Sequence, residues 1–148
     1  MSMFLTLAFL FCVGAIFGWG LEVLYRSRLA PDNPEHRWVN PGFCTGPWLP
    51  LYGSGLCILY LLAGLDRYAV TGYLWADRLL LCLVMLVCMT ALEYIAGLLC
   101  LKIAKVRLWD YSNSWGNIQG LICPLFSLAW GVLGAVYYFF VHPYIQDA

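Results

Sequence analysis

The stretch LLLCLVMLVCMTALEYIAGLLCLKI, residues 79–103, decides the fold class, because it sets one carboxylate, Glu93, within an apolar run. A transmembrane helix needs about 20 apolar residues to cross roughly 30 Å of hydrocarbon. At 1.5 Å per residue, Glu93 lies about 12 Å in from Leu101. A charge at that depth costs about 2.5 to 3.5 kcal/mol, so we expect Glu93 to face other helices and to find a partner or a proton. The candidate partners are Arg26, Asn40, Tyr52 and Asn117.

The segment after this run carries polar residues up to the start of the last apolar segment. It reads WDYSNSWGNIQGLICPLFSLAW, from Trp109 to Trp130. Polar groups so close to hydrocarbon need a partner or a function. We therefore predict that the working site lies here. A weaker copy, Glu22 followed by WVNPGFCTGPWLPLYG at residues 38–53, occurs earlier in the chain.

Composition places the chain in a bilayer. Of its residues, 63% are hydrophobic and 11% are charged, whereas soluble domains have about 25% charged residues. Eight basic residues balance eight acidic ones, so no net charge would recruit nucleic acid or an acidic partner. The chain also lacks a basic patch interleaved with aromatic residues, and we predict no nucleic-acid binding.

The seven cysteines and two histidines show no metal-ligand spacing and no C-x-x-C motif. We therefore predict no metal site, no cofactor and no disulfide framework. The cysteines lie mostly within apolar runs. We interpret them as buried free thiols, because cysteine packs as a small hydrophobe.

Four apolar runs are long enough to cross a membrane, at about residues 3–25, 48–65, 79–101 and 120–141. The prediction is an all-α integral membrane protein with about four spanning helices in a single transmembrane domain, residues 1–148. No Lys or Arg precedes the first run and no small-residue cleavage site follows it, so we expect a retained helix rather than a signal peptide. The segment 68–76 is too short to cross, and its aromatic residues suit an interfacial turn.

Two glycines in the first run, Gly14 and Gly18, stand at G-x-x-x-G spacing. This spacing predicts the close approach of another helix, either from the same chain or from a second copy.

The basic residues predict the orientation in the membrane. With four spans, the connections after the first and third helices share one side, and they hold six of the eight basic residues. The positive-inside rule places these two connections in the cytoplasm and both termini outside, in a multi-pass protein of the cell membrane. The six residues are Arg26, Arg28, Arg37, Lys102, Lys105 and Arg107.

The two halves of the chain share an order of residues. A glutamate late in an odd-numbered helix, Glu22 or Glu93, is followed by a basic stretch, a tryptophan, an asparagine, a glycine and a proline. We infer two parallel helix-loop-helix repeats, about residues 1–66 and 74–142, in which Pro/Gly-rich segments break the starts of helices two and four. Transporters commonly bind substrate where repeats meet, so we expect Glu22 and Glu93 to approach each other there.

Candidate site residues come from both repeats. Glu22 and Arg26 are four residues apart, so they share a helix face and can pair. Residues 40–55 contain three prolines and four glycines, and broken backbone at membrane depth needs protein or a water-filled cavity around it. The predicted substrate- or ion-binding set is Glu22, Arg26, Asn40, Tyr52, Glu93, Trp109, Asp110, Tyr111, Asn113 and Asn117.

Four segments, GWGLEVLYRSR, NPGFCTGPWLPLYG, TALEYIAG and RLWDYSNSWGNIQGLIC, carry a resemblance that covers nearly the whole chain. Here the chain resembles the bacterial family of ABC-transporter permeases of the CmpB-like type, and small eukaryotic multi-pass proteins look similar. Where the family pattern leads us to expect Asn-Arg-Gly, this chain has Asn40-Pro41-Gly42, which removes a basic group. The resemblance implies transport. Because the chain has no P-loop, it also implies a separate ATPase subunit.

Our leading hypothesis is a small transport protein with a polar, cytoplasm-facing cavity in which Glu93 binds a cation or proton or contacts substrate. Four helices make a thin wall around a pathway, so we expect a homodimer or a larger complex in the lipid bilayer. One alternative is an enzyme acting on lipid or a lipid-linked substrate at the cytoplasmic interface. The other is a structural or regulatory membrane subunit. The residues favour a protein that is not an enzyme, because no dense D-x-x-D or H-x-x-x-H cluster occurs.

Overall fold

The computed structural model describes residues 2–30, 33–42, 44–68 and 70–146, and within them the regular structure is helical. A single isolated bridge between Ile118 and Ile122 is the only β-type pairing in these residues. Three of the described helices are long and apolar enough to cross a membrane: Met3–Arg28, Leu74–Ala104 and Pro124–Ile145. The fold class is therefore all-α, as the apolar runs predicted.

The described residues form five α-helices and three tighter or wider helical turns. The helices are α1 (Met3–Arg28), α2 (Pro50–Ala63), α3 (Leu74–Leu99), α4 (Pro124–Val136) and α5 (His142–Gln146). A 3-10 turn, Gly64–Arg67, follows α2. One π-helical turn, Cys100–Ala104, extends α3, and another, Tyr137–Val141, joins α4 to α5. The chain forms two compact units, Met1–Cys57 and Ile58–Ala148.

In the first unit, α1 packs against the start of α2 through its glycines. A Cβ atom added to Gly14 would lie 2.9 Å from the Cβ of Leu56, and one added to Gly18 would lie 2.1 Å from the ring of Tyr52. The amide of Leu49 also donates to the carbonyl of Ala15 at 3.0 Å. The G-x-x-x-G spacing thus serves the packing of two helices of the same chain, since only a residue without a side chain allows so close an approach.

In the second unit, α3 packs against α4 with a face that repeats every four residues. This face carries the buried residues of α3: Leu81, Met85, Met89, Glu93 and Gly97. Added Cβ atoms on Gly131 and Gly134 of α4 would lie 2.8 Å from Leu86 and 3.3 Å from Met85. Glu93 is thus presented to the protein interior, the orientation that its charge predicted.

The starts of α3 and α4 differ from the sequence prediction by several residues. α3 begins at Leu74, five residues before the predicted start, because the Asp77 carboxylate accepts bonds from the amides of Val70 and Thr71 and fixes the turn ahead of the helix. The interfacial turn predicted for residues 68–76 is therefore partly wrong. The last run becomes helical at Pro124 and not at residue 120, because Gln119 and Gly120 adopt positive φ angles of 55° and 69° in the preceding turn.

The second predicted span is shorter than expected. α2 has 14 residues, which amounts to about 21 Å of helix. It begins at Pro50, after a bend in which Gly46 has a φ of 99°. By length and hydropathy, three of the described helices qualify as spans, and α2 is a fourth, shorter helix.

The interpretation of the cysteines is right about their state and wrong about their burial. All seven are free, but only Cys123 is buried, and Cys12 is exposed. The apolar runs that carry them also supply the outer, lipid-type surface of the helices, so an apolar neighbourhood in the sequence does not imply an interior position.

Candidate functional site

The candidate site in the second unit is centred on Glu93. Glu93 is 3% exposed. It lies in α3, whose most apolar 18 residues have a mean hydropathy of 2.4. The Tyr111 hydroxyl, from the connection between α3 and α4, donates a hydrogen bond to the Glu93 carboxylate at 3.1 Å. A buried carboxylate in an apolar helix is thus met by a polar group from the connection that follows the helix.

Two contacts fix the position of Tyr111. Its ring stacks on Phe126 of α4, with 4.4 Å between the centroids and 12° between the planes. Its amide donates to the carbonyl of Gly120 at 2.8 Å. Phe126 therefore fixes the ring of Tyr111 and Gly120 fixes its backbone. The fold thus directs the Tyr111 hydroxyl at Glu93.

The connection also docks on α3 one helical turn beyond Glu93. A Cβ atom on Gly97 would lie 2.9 Å from Leu121 and 3.2 Å from the Trp109 ring. The Trp109 indole N–H donates to the carbonyl of Leu121 at 2.8 Å and ties the two ends of the connection together. Gly97 leaves the space that lets the connection lie against the helix.

Asn117 shapes the tip of the connection. Its amide nitrogen donates to the carbonyls of Ser112 and Ser114 at 3.1 and 2.9 Å, and its oxygen accepts from the Gly120 amide at 3.0 Å. These bonds use the side chain within the loop. The prediction that Asn117 partners Glu93 is therefore replaced by a loop-building role, and Tyr111 occupies the place beside the carboxylate.

Asp110 and Arg107 close the same loop at the surface. One Asp110 oxygen accepts from the Ser112 hydroxyl, the Ser112 amide and the Arg107 guanidinium. The hydroxyl of Ser112, then its amide and the Arg107 charge, hold the pKa of Asp110 below its usual range. Arg107 also donates to the carbonyl of Gln119 at 3.3 Å. Asp110 thus caps a turn, the role that its position in the sequence allowed.

The first unit builds a second carboxylate site from four of the predicted residues. The Arg26 guanidinium donates to the Glu22 carboxylate at 3.0 Å, and the Tyr52 hydroxyl donates to its other oxygen, also at 3.0 Å. The Asn40 oxygen accepts from the Trp19 indole at 2.8 Å. The pairing that the four-residue spacing of Glu22 and Arg26 predicted is present, with about a quarter of each side chain exposed.

The structure therefore assigns the ten predicted residues to two places. Glu93 and Tyr111 make direct contact, Trp109, Asp110 and Asn117 build the connection that carries Tyr111, and Asn113 is exposed on it. Glu22, Arg26, Asn40 and Tyr52 belong to the first unit.

A third polar group was missed by sequence reasoning. It lies in the second unit near the start of α3, and we call it the His142 cluster. Its centre is His142, which is 4% exposed. Its charged members stand at the ends of apolar runs, where polar residues are usual. In the sequence, only the histidine at the end of the last run could have indicated this cluster. The cluster consists of Tyr60, Asp66, Arg78, Tyr137, Tyr138 and His142.

Three apolar helices of spanning length and a buried carboxylate met by a polar connection define a helical membrane protein. The chain belongs to the family described as putative ABC-transporter type IV, whose family model matches residues 9–148. This match confirms the resemblance noted in the sequence and covers nearly the whole chain. No curated protein and no solved structure matches the chain.

Proposed function

We propose that the chain is a membrane-embedded permease component of a transporter, in which Glu93 binds the proton or cation that moves with the substrate. The observation that carries this proposal is the contact between the buried Glu93 carboxylate and the Tyr111 hydroxyl, at 3.1 Å. Ionisable groups inside membrane helices are costly and commonly mark ion or substrate pathways.

The chemistry of the pair supports this role. A carboxylate alternates between a charged state that accepts hydrogen bonds and a neutral state that can donate one. A phenol serves both states, because its hydroxyl can donate or accept. Tyr111 is attached to the connection and not to α3, so a change at Glu93 would act directly on the segment between the two long helices of the unit.

Membership of an ABC-transporter family supports the proposal that ATP hydrolysis takes place in a partner. The chain lacks the G-x-x-x-x-G-K-[ST] motif that holds nucleotide phosphates, and we propose a separate ATPase subunit on the cytoplasmic side. Following the positive-inside rule, we assign to that side the connection with Lys102, Lys105 and Arg107. The arrangement of the chain as a multi-pass dimer with a polar cavity around Glu93 is part of the same proposal.

The first test isolates the protein gently from its own membrane and compares the wild type with Glu93→Gln by native mass spectrometry. The matched control is Glu35→Gln, since Glu35 is an exposed glutamate on the first connection. We expect all three proteins to retain an ATPase subunit. We also expect ATP-driven accumulation of labelled solutes in membrane vesicles to be lost in Glu93→Gln alone.

Three results would count against the proposal. Uptake by Glu93→Gln at the wild-type level would remove Glu93 from the mechanism. An unchanged activity combined with a lower melting temperature would assign the carboxylate to bundle stability, the structural alternative. Metal-dependent turnover of a labelled lipid without any ATPase partner would favour the membrane enzyme.

A further inference from the structure

The His142 cluster has a buried histidine with one ring nitrogen left over. His142 is 4% exposed, and its Nδ1 lies 3.2 Å from the Tyr137 hydroxyl. Its Nε2 is a buried atom that has no hydrogen-bond partner among the described residues. A buried polar atom without a partner costs free energy, so this position in the fold needs an explanation.

A π-helical turn creates the contact between Tyr137 and His142. The turn covers Tyr137–Val141, and the amide of His142 donates to the carbonyl of Tyr137. In a π turn, hydrogen bonds link residues five apart, which brings their side chains to the same side of the helix. Such turns are rare and are frequently found at functional sites.

Aromatic rings cover the imidazole. The ring of Tyr60, from α2, meets it edge-on at 6.0 Å and 66°. The ring of Tyr137 lies at 5.7 Å and 52°. These rings help to screen the imidazole from bulk water.

Two charged groups face this part of the unit. Asp66, in the 3-10 turn after α2, interacts electrostatically with both His142 and Tyr138. Arg78 of α3 interacts with the Tyr138 phenol, and its guanidinium lies 5.4 Å from the centre of the Trp75 ring. Asp66 is exposed to solvent, whereas Tyr138 and His142 are buried. An exposed carboxylate therefore acts electrostatically on a buried imidazole.

We propose that His142 is a proton-binding site whose charged form the Asp66 carboxylate stabilises. In the neutral state that accepts the proton, Nδ1–H donates to the Tyr137 hydroxyl and Nε2 carries the lone pair. A proton from water adds to Nε2 and gives an imidazolium, whose positive charge Asp66 balances. No bond to Tyr137 has to break.

This site is separate from Glu93. Arg78 and Glu93 are fifteen residues apart on α3, which corresponds to about 22 Å along a helix. The second unit would thus bind protons at both ends of α3. The inference about His142 rests on the cluster alone and holds whether or not the chain is a transporter.

Nuclear magnetic resonance of the protein in lipid nanodiscs, labelled with ¹⁵N only at histidine, tests the proposal directly. The chain has two histidines, so the spectrum contains His142 and the exposed loop residue His36, and His142→Gln assigns them. We expect the ¹⁵N shifts of His142 to move reversibly from the neutral to the imidazolium pattern as the pH is lowered from about 8 to about 4. Tryptophan signals recorded in the same samples report whether the protein stays folded.

Two carboxylate variants provide matched controls. Asp66→Asn removes the balancing charge, so the protonated fraction of His142 at a given pH should fall, while His36 stays unchanged. Glu35→Gln removes the carboxylate next to His36 in the sequence and should leave the His142 titration unchanged. A His142 ring that stays neutral at every pH at which the protein is folded overturns the proposal. A titration that Asp66→Asn leaves unaltered overturns the role of Asp66 in stabilising the imidazolium.

Discussion

At the scale of single residues, the two glutamates of the long helices α1 and α3 each accept a hydrogen bond from a tyrosine hydroxyl. Glu22 accepts from Tyr52, and Glu93 accepts from Tyr111. The surroundings differ, because Glu22 also pairs with Arg26 and is partly exposed, whereas Glu93 is 3% exposed. A partly exposed ion pair contributes little to stability. Glu93 is therefore the carboxylate whose environment is most sensitive to the loss of one hydrogen bond.

The substitution Tyr111→Phe should show this sensitivity, since it removes the hydroxyl and keeps the ring that stacks on Phe126. A hydrogen bond to an ionised group contributes about 1.5 to 3 kcal/mol and one between neutral groups about 0.5 to 1.5 kcal/mol. We expect the free energy of unfolding in detergent to fall by the larger amount at neutral pH. It should fall less when the same change is made in Glu93→Gln.

The control for this experiment is Tyr144→Phe, because Tyr144 is 79% exposed and its hydroxyl should contribute almost nothing. Equal losses for Tyr111→Phe with Glu93 and with Gln at position 93 would mean that the carboxyl is neutral in the resting protein.

At the scale of helices, small residues determine where elements approach. On α1, Gly18 faces the ring of Tyr52, whereas a Cβ atom on Gly20 would meet nothing within 4 Å. The two glycines are two residues apart on one helix, so they lie on nearly opposite sides of it. Gly20 is therefore a matched control for a substitution at Gly18 that tests the packing of α1 on α2.

The change Gly18→Ala should destabilise the protein, and Gly20→Ala should not. An alanine Cβ at Gly18 would lie 2.2 Å from the Cβ of Tyr52, and overpacking of this kind costs about 1 to 3 kcal/mol. At Gly20, alanine raises helix propensity by up to about 1 kcal/mol. Thermal unfolding of both variants in the same detergent measures the difference. A stable Gly18→Ala protein would show that α1 and α2 are not packed as described.

The sequence predicted the nature of the elements better than their ends. Hydropathy identified α1, α3 and α4, because a bilayer demands long apolar runs. It could not show that Asp77 fixes the start of α3 five residues early, since that depends on bonds to Val70 and Thr71. The π turn before His142 was equally hidden, because five-residue hydrogen bonding leaves no pattern of apolar residues.

At the scale of the whole molecule, the family and the membrane class were accessible from the sequence, whereas the partners within the site were not. The motif RLWDYSNSWGNIQGLIC pointed to the matched family. Tyr111, and not Asn117, is the partner of Glu93 because of the way the connection folds back on itself. Hydrogen bonds from Trp109 to Leu121 and from Asn117 to Ser112 hold it in this shape. Such contacts within a loop follow from three-dimensional closure and cannot be read from spacing.

The 14 residues of α2 have a consequence for the lipid around the protein. A helix of about 21 Å in hydrocarbon of about 30 Å is too short, and the bilayer beside it must thin or its flanking residues must reach outward. We expect a higher melting temperature in nanodiscs of short-chain lipids than in those of long-chain lipids. A melting temperature that is independent of chain length would show that α2 is shielded from lipid. In a cell whose membranes differ in thickness, hydrophobic mismatch at this one helix would sort the protein toward the thinner ones.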